Sequence, residues 1–213
     1  KFGADSLRVF EMFLGPLQDA KPWSEKGIEG VNRFLNRVWR MIADDERKIS
    51  PIVQNVQLTT EQEFVLHSTI KKVAEDIENL HFNTAIAQMM IFVNEFTKAD
   101  IKPREAMEKF VLCLAPFAPH IGEELWHILG HKESVVIQPF PDWNEAKTIK
   151  NEVELVIQVN SKIRGKLVMP IDTIQSEAEA AALSDGNVQK FSEGKSIKKI
   201  IFIKNKLINI IAG

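Results

Sequence analysis

With 213 residues the chain is long enough to bury a full core, in one domain or two. Its single cysteine, Cys113, excludes an internal disulfide and any cysteine-cluster metal site, and no apolar run has membrane-spanning length or the form of a secretory signal. The formal net charge of −2 excludes little, because a polyanion is held by a local basic surface and not by a basic whole.

The chain opens at Lys1 inside what reads as a continuing element, so a piece of a larger protein is expected. Residues 5–14 read as a short amphipathic helix, with Asp5 as its N-cap and Leu7, Phe10 or Met12, and Leu14 toward a core. Gly15-Pro16 ends it, and Lys21-Pro22-Trp23-Ser24 is expected to turn. Residues 28–42 form the most legible helix. Ile28, Val31, Leu35, Val38 and Ile42 are spaced by three and four, which places them on one stripe. Glu29, Arg33, Arg37 and Arg40 share the opposite face. That face is either a solvated surface with an i,i+4 pair, or a row of guanidinium groups about 5–6 Å apart that tracks phosphates.

Residues 60–80 read as the next long helix, with Thr60 as cap, Glu63 completing a capping box, and Leu66, Ile70, Val73, Ile77 and Leu80 buried. A helix from Phe82 through Met89, Val93 and Phe96 follows, with Met89 and Met90 as core filling; Pro103 opens another through Phe110 and Leu114. Pro116 and Pro119 then force a sharp corner, because proline fits a helix's first turn but not its interior. Past it, Ile121, Leu125 and Ile128 form a stripe, and the helix ends at Gly130. His127 and His131 lack a third ligand of matching spacing, so no metal site is expected.

From Ser134 the texture changes. Val135-Val136-Ile137 reads as a short extended run, and prolines at 139 and 141 break regular structure. A linker is expected over 144–151, followed by a small α+β module over 152–213. In that module Val153, Leu155, Ile157 and Val159 alternate with polar neighbours, and Asn160-Ser161 turns the chain back into a hairpin. Ser176 to Glu179 reads as a capping box opening an alanine-rich helix, and a second strand pair flanks Lys204-Asn205-Lys206. Strict alternation places Lys162, Arg164 and Lys166 on one sheet face. With Lys195, Lys198 and Lys199 nearby, the module carries a net charge of +2 against −4 for the remainder.

The segment Ala115-Pro116-Phe117-Ala118-Pro119-His120 with Glu123-Glu124-Leu125-Trp126 resembles the anticodon-binding-type bundle of class I aminoacyl-tRNA synthetases of the Leu/Ile/Val/Met group. Phe2 to Arg8, Phe10 to Leu17 and Lys21 to Gly30 are similar to the segment after the Lys-Met-Ser-Lys-Ser loop of bacterial-type leucyl enzymes. Val156 to Lys166, Asn187 to Phe191 and Lys206 to Ile210 are similar to their C-terminal domain. In that family the hairpin turn is usually Asn-Gly; Ser161 replaces the glycine, so a longer or bulged turn is expected. His120-Ile121-Gly122 looks like the start of an ATP-binding signature, but Glu123 fills the fourth place inside a proline-bounded helix, and the reading is structural.

The resemblance implies a mainly α fold: a connecting helix and turn (1–27), a helical bundle (28–143), the linker, and the α+β domain (152–213). It implies a tRNA-positioning part of an enzyme that joins leucine to tRNA(Leu). ATP and Mg would serve that whole enzyme, and this part would hold no catalytic residue and no cofactor. Partners would be tRNA(Leu) and the rest of the synthetase chain; a cytoplasmic monomer off the membrane is expected. RNA contacts are assigned to Arg33, Arg37, Arg40, Lys162, Arg164, Lys166, Lys195, Lys198 and Lys199. The alternative is a protein-interaction scaffold, with an exposed apolar groove and no dependence on RNA.

Overall fold

The computed structural model describes residues 1–20, 25–150 and 152–213, and the chain divides into two compact units, Lys1–Thr148 and Ile149–Gly213. The turn expected at Lys21-Pro22-Trp23-Ser24 lies outside the described residues, as does Asn151. The fold is mainly α with a small α+β part.

In the first unit the helices are α1 (Ala4–Phe13), α2 (Glu25–Ile42), α3 (Thr60–Glu78), α4 (Phe82–Lys98), α5 (Arg104–Leu114) and α6 (Pro119–Ile128). Their apolar stripes face inward: Val31, Leu35, Val38 and Ile42 from α2 are buried, as are Leu66, Ile70 and Val73 from α3. Phe92 stacks on Phe96 at 4.1 Å and on Phe110 at 4.4 Å between ring centroids, joining α4 to α5. Each such side chain contributes about 1.5–3 kcal/mol by leaving water. Two short strands, β1 (Val53–Gln54) and β2 (Lys102–Pro103), pair in parallel and tie the α2–α3 connection to the start of α5.

The corner between α5 and α6 is held by contacts from α1. Pro119 is the first residue of α6, and Ala118 before it has no side chain with which to cap the helix. Asp5 supplies the cap from α1 instead: its carboxylate accepts from the Ile121 N–H at 2.7 Å and from His120 Nδ1 at 2.7 Å. Three residues along the same helix, Arg8 donates to the carbonyls of Phe117 and Pro116, at 3.3 and 3.2 Å. An acid thus meets the positive end of α6 and a base meets the exposed carbonyls after α5, the arrangement that helix dipoles favour. Asp5 is therefore not the N-cap of its own helix; Gly3 holds that place. Gly122 lets the corner pack closely, since a Cβ there would lie 3.1 Å from Ala115 Cα and Cβ, tighter than an ordinary contact.

Other local expectations shift by a residue or change type. The capping box of α3 is built by Thr59 and Gln62, not Thr60 and Glu63: Thr59 Oγ1 accepts from the Gln62 N–H at 3.2 Å, and Gln62 Oε1 accepts from the Thr59 N–H at 3.0 Å. Leu80 lies past the end of α3, 56% exposed and with φ of 58°, so it does not continue the buried stripe. Val135–Ile137 is a 3-10 turn and not extended, because Ser134 Oγ accepts from the Val136 N–H and closes it. The expected linker is in part bound: the Asn144 N–H donates to His67 Nδ1 at 3.1 Å, Lys147 pairs with Glu63 at 2.6 Å, and Lys71 pairs with Glu145, so residues 144–148 sit on α3.

The second unit contains β3 (Glu152–Val159), β4 (Lys162–Pro170), α7 (Gln175–Ser184), α8 (Gly186–Ser192), β5 (Ile197–Ile203) and β6 (Leu207–Ala212). Its sheet has the order β4-β3-β6-β5, with β3 and β6 parallel and the outer pairs antiparallel. Leu155, Ile157, Val159, Ile208 and Ile210 are buried on one face against Ala178 and Ala182 of α7 and Val188 of α8. The other face is open, with Ile163 and Val168 64% and 62% exposed. Ser176 does not cap α7, which starts one residue earlier after Ile174; Glu179 is engaged by Gln175. The hairpin turn is two residues after all, with φ of 52° at Asn160 and 63° at Ser161, the signature of a type I′ turn. Serine is tolerated there because Asn209 clamps it: Asn209 Oδ1 accepts from the Ser161 N–H at 3.1 Å, and Asn209 Nδ2 donates to Ser161 Oγ at 3.3 Å.

Candidate nucleic-acid interface

On α2 the buried stripe fixes the helix's rotation, and the basic side chains are left outside. Arg33, Arg37 and Arg40 are all exposed on that outer face. Arg37 reaches toward α4, donating to Asn94 Oδ1 at 2.8 Å and to Thr97 Oγ1 at 3.4 Å. Both partners are neutral, so the guanidinium keeps its full charge. Arg33 and Arg40 make no hydrogen bond or ion pair among the described residues. Three cations on one helix with no carboxylate partner among the described residues suit a polyanion that supplies the counter-charge.

Beside this row lies a cleft of roughly 490 Å³ between α1, α2 and the start of α6, lined by Asn32, Asn36, Trp39, Arg47, His120 and Glu124 among others. Arg47 escaped the sequence reading. It sits at φ 61° in a tight loop whose Asp44 carboxylate accepts from the N–H groups of Glu46 and Lys48, both at 2.9 Å, and its guanidinium lies 5.7 Å from the Trp39 ring centre. No periodicity runs through Asp44 to Lys48, so nothing in the sequence marks which side chain of the loop faces the cleft.

In the second unit the basic residues of β4 do not share a face. Ile157 pairs with Gly165 and Gln158 with Ile163, so Arg164 is the extra residue of a bulge. Lys162 opposes buried Val159, whereas Lys166 opposes Val156 on the open face. The bulge shifts the two-residue period by one step, which is why alternation alone misplaces them. Arg164 lies 3.5 Å from the centre of the Phe191 ring. Lys166 pairs with Glu154 at 2.8 Å, and Lys195 donates to the Phe191 carbonyl at 3.0 Å. Lys198 is the unpaired residue of a second bulge, and Lys199 opposes Ile211 on the open face. Arg164 and Lys195 thus both contact Phe191, one at its ring and the other at its carbonyl, while Lys166 and Lys199 lie on the other side of the sheet.

His127 and His131 turn to different carboxylates, Glu123 at 3.4 Å and Glu108 at 3.1 Å, and His131 stacks on Trp126. No group of three His, Cys, Asp or Glu among the described residues is placed to hold a metal. Burial pushes the Cys113 thiol well above its usual range, so it stays protonated and acts as core filling. No helix among the described residues is long and apolar enough to cross a membrane.

The family described as the anticodon-binding domain of tRNA ligase matches residues 64–178. Leucine–tRNA ligases of Leptospira biflexa (strain Patoc 1) and Rhodopirellula baltica are each 47% identical to this chain over 213 residues. The matches cover 100% and 99% of the chain but only 24% and 22% of those proteins, so the chain spans less than a quarter of the relatives' length. A crystal structure of the ternary complex of Agrobacterium radiobacter K84 agnB2 LeuRS with tRNA and LeuAMS superposes with a TM-score of 0.64 at 26% identity, over 100% of this chain and 29% of that one.

Proposed function

Since the chain belongs to the anticodon-binding domain family of tRNA ligases, we propose that it is the RNA-holding part of a leucine–tRNA ligase, which joins leucine to tRNA(Leu). The observation that carries this reading is the outer face of α2, where Arg33, Arg37 and Arg40 stand exposed with no carboxylate partner among the described residues. Backbone phosphates would supply that partner, and contacts of this kind fix the register of a folded RNA without reading its sequence. Activation of leucine, with ATP and Mg, would belong to the rest of the synthetase chain. The whole enzyme would be a cytoplasmic monomer off the membrane. An electrophoretic shift tests the reading: the chain should retard tRNA(Leu) and leave an unstructured RNA of the same length free. Equal retardation of both would reduce it to nonspecific charge.

One observation favours a second reading for the second unit alone. The uncovered sheet face exposes Ile163, Val168, Ile201 and Ile203, a surface suited to protein and not to a polyanion. If that face serves as a scaffold, substituting Ile163 and Val168 by Ser abolishes a protein contact and leaves the tRNA shift unchanged.

A further inference from the structure

The bulge in β4 divides the basic residues of the second unit between two surfaces, and the two surfaces differ in chemistry. On the open face Lys166 is paired with Glu154 at 2.8 Å and is surrounded by exposed isoleucine and valine. On the helix side Arg164 has neither a hydrogen bond nor an ion pair among the described residues, and its Nε is buried without a partner. We infer that the Arg164–Phe191 pair, and not Lys166, is the element of the second unit that contacts an RNA phosphate. This deepens the RNA-holding reading and rests on it.

Three features of the site lead there. The bulge turns Arg164 out of the ladder and lays its guanidinium 3.5 Å from the centre of the Phe191 ring, so a flexible side chain is held before any ligand arrives. A guanidinium fixed in this way loses little freedom on binding and presents its two terminal nitrogens as a planar fork, which matches two phosphate oxygens. Lys195 puts a second cation on the same residue, its ammonium donating to the Phe191 carbonyl at 3.0 Å. Arginine and lysine only donate hydrogen bonds, so the group they receive together must be an acceptor with negative charge. A lysine at position 164 could neither stack as a plane nor fork, so the geometry described here depends on the guanidinium and not on charge alone.

The affinity of the full 213-residue chain for a tRNA(Leu) transcript, measured against KCl concentration, tests the assignment. Arg164→Ala should weaken binding about tenfold and lower the slope of log affinity against log salt by about 0.7–0.9, the value of one phosphate contact. Lys166→Ala should leave both unchanged. Phe191→Leu, at a position that is not buried, should weaken binding several-fold with the slope preserved, because the charge remains but is no longer held. A wild-type slope in Arg164→Ala, or an equal loss of slope in Lys166→Ala, overturns the assignment while the RNA reading stands. No binding by the wild-type chain at any salt concentration removes the RNA reading itself and the assignment with it. Should Arg164→Ala fail to fold, Phe191→Leu decides: wild-type affinity there also overturns the proposal.

Discussion

The carboxylate of Asp5 accepts the N–H of Ile121 at 2.7 Å, closing the first turn of α6 from a helix 116 residues earlier in the chain. The same carboxylate holds His120 Nδ1 at 2.7 Å. Removing it leaves the N-terminal N–H groups of α6 without a partner in a partly buried corner. We expect Asp5→Ala to destabilise the chain by about 1–3 kcal/mol in urea unfolding, and Asp5→Asn by less, since the amide oxygen still accepts. A loss below about 0.5 kcal/mol in Asp5→Ala would show that water replaces the cap without penalty.

Leu80 ends α3 in the left-handed region, at φ 58°, and the His81 N–H bonds the Asp76 carbonyl to complete a Schellman-type stop. Glycine is the residue such a position favours, and the leucine side chain is largely in water. Leu80→Gly should therefore stabilise the first unit by about 0.5–1 kcal/mol, with the gain from relieved backbone strain exceeding the entropy glycine adds to the unfolded chain. Lower stability would mean that the exposed leucine makes a contact worth more than that strain.

His67 on α3 lies under residues 144–148, accepting the Asn144 N–H at 3.1 Å. Burial lowers its pKa below the usual histidine range; Lys109 and Lys147 push the same way, and Glu63 and Glu105 oppose them. The unfolded chain thus binds a proton at a pH where the folded one does not, so stability is full above about 6.5 and falls as pH drops toward the folded pKa. Between about pH 7.5 and 5.5 the wild type should lose more stability than His67→Gln, and Lys147→Ala should raise the His67 pKa in an NMR titration. A His67 pKa at or above the free value would contradict this.

The type I′ turn at Asn160-Ser161 carries serine where the turn favours glycine. Ser161→Gly should leave the N–H bond to Asn209 intact and change stability by less than about 1 kcal/mol, whereas Asn209→Ala removes the clamp and should destabilise the hairpin more. Thermal unfolding of the two variants checks the order.

What the sequence makes legible is whatever repeats. The three-and-four spacing from Ile28 to Ile42 gives α2 its extent and its outer arginines, and the alternation from Val153 to Val159 gives the hairpin its core face. Features built from a single residue leave no such trace. The strands β1 and β2 are two residues long, too short for any period, and Val135–Ile137 is apolar enough to pass for a strand until Ser134 folds it. Arg164 belongs to the same class, since one unpaired residue reverses the facing of everything beyond it while every side chain keeps its apparent place in the alternation. Arg47 is placed by a loop, and Asp5 finds its partner only when the chain has folded back.

The claim at the centre is that this chain holds RNA for chemistry performed elsewhere in a longer ligase. The direct test introduces Arg33→Glu, Arg40→Glu and Arg164→Glu together into the whole leucine–tRNA ligase and compares leucylation of tRNA(Leu) with leucine-dependent pyrophosphate exchange, which needs no tRNA. We expect leucylation to fall by at least about tenfold with exchange unchanged. Parallel loss of both, or full leucylation, would contradict it.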